Sequence, residues 1–332
     1  MPERLRFGLV GAGGIGQAYA RIFQDLEEGE MVGVADLRLE AAQALGEALR
    51  CRSYGSYQEM AAQVDLDAVL ICTPPASHFE ISVWFLERKA HVLCEKPLTL
   101  HSGSARRMLE QAERYRVQLA MASKFRYVED VVRAKSILLS GSLGEIVWVV
   151  NSFTSHTDMA GRWNADAEVS GGGVLMDNGT HSVDLVRYLV GPIREVLAVE
   201  GRRTQGLAVE ETAHMLVRCE NGALGNIDLS WSIQRPGEYY ASVCGSRGSL
   251  ELGWKDSRYR ELSRGQWVVF GDGYNKFDAL RNQVKNFIRA VRGEEPLRTT
   301  PEDALASVEV LAAAYASLRE NAWQPVPGGR GR

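Results

Sequence analysis

The segment Gly11-Ala12-Gly13-Gly14-Ile15-Gly16 constrains this chain more than any other because of where it stands. An apolar run, Phe7 to Val10, ends just before it, and a helix-like stretch, Gln17 to Leu26, begins just after. Strand, glycine turn and helix are the context in which a G-x-G-x-x-G fingerprint binds a dinucleotide. Gly11 permits the tight turn, Gly13 lets the backbone approach a pyrophosphate, and Gly16 lets the helix pack closely on the strand. Free N–H groups at the helix start then meet the negative charge, with Gly14 and Ile15 completing the loop. Asp36 ends the next apolar run, twenty residues after Gly16. A carboxylate there accepts from both ribose hydroxyls and repels a 2′-phosphate, so NAD is expected. Arg38, two residues on, could offset that repulsion, which leaves NADP as the alternative cofactor.

The same alternation continues. Phe7–Val10, Met31–Ala35, Ala68–Cys72, His91–Cys94 and Val117–Ala122 read as strands separated by helix-like stretches. Unbroken apolar runs suit a parallel sheet covered on both faces, hence a doubly wound Rossmann domain over residues 1–123. After Ser123 one helix is expected from Tyr127 to Ser140. Longer alternating strands follow at 145–155, 195–203, 213–219, 224–231 and 239–244, with Asn221-Gly222 marking a hairpin. These predict a C-terminal α/β domain, 124–324, with an open, mainly antiparallel sheet and helices at 275–292 and 302–320. The Gly-, Arg- and Pro-rich stretch 325–332 reads as a mobile tail.

At 332 residues, with 45% hydrophobic and 24% charged residues, the chain is long enough for two ordinary cores. A formal charge of −4 supplies no excess of cations for phosphate neutralisation, so nucleic acid and anionic membrane are not expected partners. No apolar run is long enough to cross a bilayer, and the first residues enter a strand pattern directly. Five scattered cysteines lack any C-x-x-C pair, which fits a reducing compartment, and a cytoplasmic protein is expected. Cys72 and Cys94 each end an apolar run and read as buried thiols.

Two further segments carry a resemblance: Cys94-Glu95-Lys96-Pro97, and Gly171 to Pro192, GGGVLMDNGTHSVDLVRYLVGP. Together with Ile71-Cys72-Thr73-Pro74-Pro75, His78 and the helix start Thr300-Pro301-Glu302-Asp303-Ala304-Leu305, the chain resembles the glucose-fructose oxidoreductase, inositol dehydrogenase and MocA family. The resemblance covers nearly the whole chain. It implies oxidation or reduction of hydroxyl groups of sugars, sugar derivatives and cyclitols with NAD or NADP. It also implies subunit contacts through the exposed face of the C-terminal sheet, so a homodimer or homotetramer. By motif match Lys96, Asp177 and His181 are its catalytic residues, and Thr73, Pro74, His78 and Glu95 line the nicotinamide half of the cofactor groove.

The residues also argue for themselves. Asp177, His181, Asp184 and Tyr188 fall at i, i+4, i+7 and i+11, one stripe on a regular helix. Gly171 to Gly173 before it imply that its start meets another backbone or a ligand closely. Lys96 directly follows a parallel strand, at the edge where doubly wound folds bind ligands. In the oxidation direction His181 would take the hydroxyl proton, Lys96 would stabilise the developing charge on the oxygen, and Asp177 would orient the substrate and tune His181, with Lys96 the alternative final proton acceptor. Arg126, Trp163 and Asn164 are further candidates for the substrate pocket. A metal held by Asp177, His181 and Asp184 is the competing reading of the stripe, but hydride transfer needs none. Two other functions use the same fold: an NAD-retaining hydrolase or lyase working by transient sugar oxidation, and a non-catalytic NAD-binding sensor.

Overall fold

The computed structural model describes residues 4–235 and 237–327, and the chain divides into two units, one running to Lys124 and taking in Lys276–Leu305, the other holding Phe125–Asn275 and the chain from Ala306. In the first unit the apolar runs pair in parallel, as β1 (Leu5–Val10), β2 (Gly29–Ala35), β3 (Arg52–Tyr54), β4 (Ala68–Ile71), β5 (His91–Glu95) and β6 (Leu119–Ala122), in the order β3-β2-β1-β4-β5-β6. The order reverses between β1 and β4, which places the ligand crevice at the carboxyl ends of these strands. Every residue of β4 is buried, as a strand covered on both faces must be. The connecting helices are α1 (Gly14–Gln24), α2 (Leu39–Leu49), α3 (Tyr57–Gln63), α4 (His78–Leu86) and α5 (Ser102–Tyr115). The edge strand β3 has no counterpart among the expected strands. Its three residues include one buried side chain, Tyr54, too little for an apolar run to register.

The second unit begins with α6 (Glu129–Leu139), β7 (Ile146–Thr154), α7 (Ala167–Ser170) and α8 (Thr180–Leu189). Then come β8 (Ile193–Glu200), β9 (Thr212–Cys219), β10 (Leu224–Ser230), β11 (Tyr239–Gly245), β12 (Gly248–Gly253), β13 (Ser257–Glu261) and β14 (Val268–Gly271). The sheet is antiparallel throughout except between β7 and β10. β9 shows how sequence sets its faces: Ala213, Met215, Val217 and Cys219 are buried, while Thr212, His214, Leu216 and Arg218 turn to the other, half-exposed side. The Asn221-Gly222 hairpin joins β9 to β10, with Gly222 at φ +89° and Asn221 Oδ1 accepting the Ala223 N–H. Charged and glycine residues interrupt the apolar pattern of β12 and β13, and β14 is only four residues long, so none of the three stands out as a strand in the sequence.

The chain returns to the first unit with α9 (Lys276–Val291). This corrects the expected continuous domain over 124–324. Leu280, Val284, Phe287 and Ile288 join the core of Phe7, Tyr19 and Met31, and the Phe7 and Phe287 rings lie 6.1 Å apart. The apolar stripe of a helix shows that it has a partner surface but not which one. α10 (Pro301–Glu320) follows, and β15 (Gln324–Pro325) completes the nine-stranded order β14-β13-β12-β11-β7-β10-β9-β8-β15. Thus the first residues of the expected mobile tail are ordered: Pro325 pairs with Glu195 and Val326 is buried. Residues 328–332 of that tail lie outside the described residues.

Candidate active site

The first unit carries a dinucleotide cradle. Gly11 leaves β1 at φ +101°, its N–H bonded to the Ala35 carbonyl at 2.8 Å, and a Cβ there would lie 2.7 Å from the Cys72 backbone. A Cβ on Gly16 would lie 2.2 Å from the Gly11 oxygen, so only glycine lets α1 start this close to the strand. Over Gly13 and Gly14, by contrast, the Cβ positions face open space, with nothing described within 4 Å. No described side chain caps α1, and its first amides are available to a pyrophosphate.

Asp36 is fixed beside this loop. Its Oδ2 accepts the Ala12 N–H and its Oδ1 the Arg38 N–H, both at 2.8 Å. Each carboxylate oxygen keeps a further lone pair, enough to receive a ribose diol. Arg38 turns its guanidinium back to Asp36, with Nε 3.7 Å from Oδ1, while remaining 73% exposed. These features fit NAD.

The loops after β4 and β5 are braced against one another within this unit. His78 is fully buried, with Nε2 2.8 Å from the Thr73 carbonyl and Nδ1 2.8 Å from that of Pro97. Burial pushes its pKa down against the pull of these two carbonyls. His78 therefore ties the segment carrying Thr73 and Pro74 to the one carrying Lys96. Ser77 Oγ adds a contact at 2.8 Å to both Thr73 Oγ1 and the Pro74 carbonyl. Glu95 ends β5 almost buried, Oε2 accepting the Lys96 N–H at 3.1 Å and Oε1 the Tyr19 hydroxyl at 3.0 Å. Gln283 donates in turn to that hydroxyl at 2.6 Å. Burial raises the pKa of Glu95, opposed by the charges of Lys96 and Lys124. The Lys96–Pro97 peptide is cis.

The second unit presents Asp177 and His181. A Cβ on Gly173 would lie 2.0 Å from the Glu210 carbonyl oxygen, so the expected close approach before the helix is to a backbone. The helix is not regular there. Leu175–Gly179 form a π-helical turn ahead of α8, wider than the 3.6-residue turn that put four residues on one stripe. Asp177 occupies that turn, half-buried, while His181 stands in the first turn of α8, 9% exposed, its ring edge-on to Phe125 at 5.3 Å. Phe125 in turn stacks on Tyr274 at 5.1 Å and packs on Phe153 at 4.8 Å.

The rest of the expected stripe is structural. Arg126 grips Asp184 through Nε, at 3.0 and 2.9 Å to the two oxygens, and through a terminal nitrogen at 2.7 Å, with both side chains 3% exposed or less. Its guanidinium also lies 5.2 Å from the Tyr188 ring centre. The structure thus places Arg126 and Asp184 in a buried ion pair. Trp163 is 46% exposed and Asn164 half-buried, both in a short 3-10 turn, Trp163–Ala165. Sequence reasoning missed Tyr19, Gln283, Ser77, Phe125 and Glu210. Ser77, beside the singled-out His78, and Phe125, beside the singled-out Arg126, are the two with a local cue.

Residues 5–123 match the family model of an oxidoreductase family with an NAD-binding Rossmann fold, and residues 131–251 match that of the GFO/IDH/MocA C-terminal domain. D-glucoside 3-dehydrogenase of Escherichia coli K12 is 32% identical over 340 residues, covering 94% of this chain and 95% of its own. Myo-inositol 2-dehydrogenase of Thermotoga maritima is 27% identical, covering 95% and 97%. Among solved structures, the WlbA dehydrogenase of Bordetella pertussis, in complex with NADH and UDP-GlcNAcA, has a TM-score of 0.84 at 25% identity, covering 98% and 99%.

Proposed function

The chain belongs to the GFO/IDH/MocA oxidoreductase family, and from that premise we propose that it is an NAD-dependent dehydrogenase acting on a hydroxyl or keto group of a sugar, sugar derivative or cyclitol. His181 carries the proposal, a nearly buried imidazole fixed against Phe125 at the start of α8. The dinucleotide, when bound, would take up the hydride as NAD in the oxidation direction and give it back as NADH in reduction. His181 takes the hydroxyl proton as the carbinol carbon loses its hydride, a task suited to imidazole at neutral pH. Lys96 supplies the cation that stabilises the developing charge on the reacting oxygen. Asp177 orients the substrate and tunes His181. Relatives named as acting on myo-inositol and D-glucosides support the substrate class. The test is a screen for NADH formation over sugars, aminosugars, nucleotide sugars and inositols. Rapid NADH formation with one of these classes is expected. Turnover with tightly retained NAD and no net NADH would instead indicate a hydrolase or lyase.

Cofactor choice follows from Asp36. Hydrogen bonds to a charged acceptor are worth about 1.5–3 kcal/mol. Asp36→Ala should therefore weaken NAD binding by roughly ten- to a hundredfold and narrow its advantage over NADP. Fluorescence titration of both cofactors checks this, and tighter NADP binding by the unmodified protein would contradict it.

Assembly is the third element of the proposal. Val150, Leu197 and Leu216 sit half-buried on the open face of the second unit's sheet, and Val199 beside them is 44% exposed. An apolar face of this kind is the surface through which a homodimer or homotetramer would form. Light scattering at micromolar concentration should show one of these, and monomer alone would count against it. No helix among the described residues is long and apolar enough to cross a membrane, and the five cysteines are free, in keeping with a proposed cytoplasmic location.

A further inference from the structure

We propose that Glu210 is a positioning residue, which sets the geometry of Asp177 and His181 through the backbone it holds at Gly173–Leu175. The proposal rests on the reading of His181 as the acid/base. Glu210 stands just before β9 and is 5% exposed. One of its oxygens, Oε1, accepts three hydrogen bonds: from the Gly173 N–H at 2.9 Å, the Leu175 N–H at 3.1 Å and the Tyr315 hydroxyl at 2.7 Å. Its main-chain carbonyl accepts the amide between those two, Val174 N–H, at 2.9 Å. One residue thereby takes three consecutive amides at the start of the segment that bears the site. Helix starts ordinarily leave such amides to a local cap or to water. Here Val174, at the head of the π-turn, makes no side-chain cap, and the hold comes from Glu210, 37 residues on from Gly173 in sequence.

The hold passes directly to the site. The Gly173 carbonyl accepts the Asp177 N–H at 3.0 Å, so a single residue, Gly173, separates the Glu210 carboxylate from the backbone of Asp177. The π-turn that follows sets the rotation of α8, and with it the direction of His181, so a shift at Gly173 reaches both side chains. The glycines exist for this approach: a Cβ on Gly172 would lie 1.8 Å from the Tyr315 hydroxyl oxygen, and one on Gly173 2.0 Å from the Glu210 carbonyl. Charge matters as well as shape. Burial pushes the Glu210 carboxyl up, while the Tyr315 hydroxyl and the Leu175 and Gly173 amides favour its ionised form. An amide oxygen of the same size would accept three donors less well than a carboxylate.

Glu210→Gln and Tyr315→Phe separate positioning from mere structure. Glu210→Gln keeps the size of the side chain and an acceptor oxygen for its neutral donors, so it is expected to remain folded and to bind NAD as before. Misplacing a reacting group by about 1 Å can cost on the order of a hundredfold in rate. Glu210→Gln should accordingly lose about ten- to a hundredfold in kcat, with Tyr315→Phe losing less in the same direction. The second readout needs no substrate: the midpoint of the His181 ring titration, followed by NMR on the whole protein and assigned by the signal lost in His181→Ala. It should move in both variants. Folded variants with an unchanged His181 midpoint and unchanged kcat would overturn the proposal, leaving Glu210 a structural carboxylate. Should Glu210→Gln fail to fold, Tyr315→Phe decides alone by the same two readouts. If no dehydrogenase substrate is found, the titration still decides whether Glu210 positions His181, so the two failures are distinguishable.

Discussion

His181→Ala should lose about a hundredfold or more in kcat while keeping its fold and its affinity for NAD. General acid–base groups contribute about 10²- to 10⁴-fold to rate, far beyond what a solvated side chain contributes. The substitution removes a ring in edge contact with Phe125 but leaves Val183, Leu185, Val186 and Leu189 to hold α8, so its structural cost should stay within about 1–3 kcal/mol. The cofactor loop and Asp36 belong to the other unit. Steady-state kinetics on the substrate found by the NADH screen, with NAD affinity from fluorescence, checks both halves. Near-normal turnover by the folded variant would reduce His181 to an ordinary buried side chain.

Arg126→Ala should be the most destabilising change outside the core, by about 3–5 kcal/mol, because it strips the guanidinium from a carboxylate that has left water. Asp184 is buried at 1% exposure and receives Arg126 at three distances between 2.7 and 3.0 Å. The loss also removes the guanidinium that lies 5.2 Å from the Tyr188 ring centre. Replacing both partners by apolar residues of similar volume should recover much of the stability, since no charge is then stranded. Denaturant unfolding of the single and double variants checks this. A change below about 1 kcal/mol in Arg126→Ala would mean that the pair behaves as a surface ion pair.

These two changes also show what sequence could and could not reveal. The glycine loop and the place of Asp36 are legible because the constraints on them are local: a turn and a strand end. The strands of the first unit were legible because burial on both faces leaves an unbroken apolar run. Arg126 and Asp184 were not recognised as a pair, since they meet across 58 positions and neither carries a sign of its partner. The four-residue stripe assumed a regular helix, and the π-turn at Leu175–Gly179 broke that register. Glu210 and Tyr315 lie in no motif. Their role arises only where the chain brings them to Gly173, 37 and more residues from either in sequence. The helix α9 was readable as a helix, but its docking in the first unit was not, for an apolar stripe is silent about its partner.

The most direct measurement follows a label. A substrate deuterated at the reacting carbinol carbon is turned over with NAD, and the dinucleotide and the sugar product are both analysed by mass spectrometry. Expected is deuterium in the NADH, one equivalent for each carbonyl formed, with the transfer suppressed in His181→Ala in step with its kcat. Deuterium retained in the product or lost to solvent, with no label in the dinucleotide, would contradict hydride transfer as the net reaction of this protein.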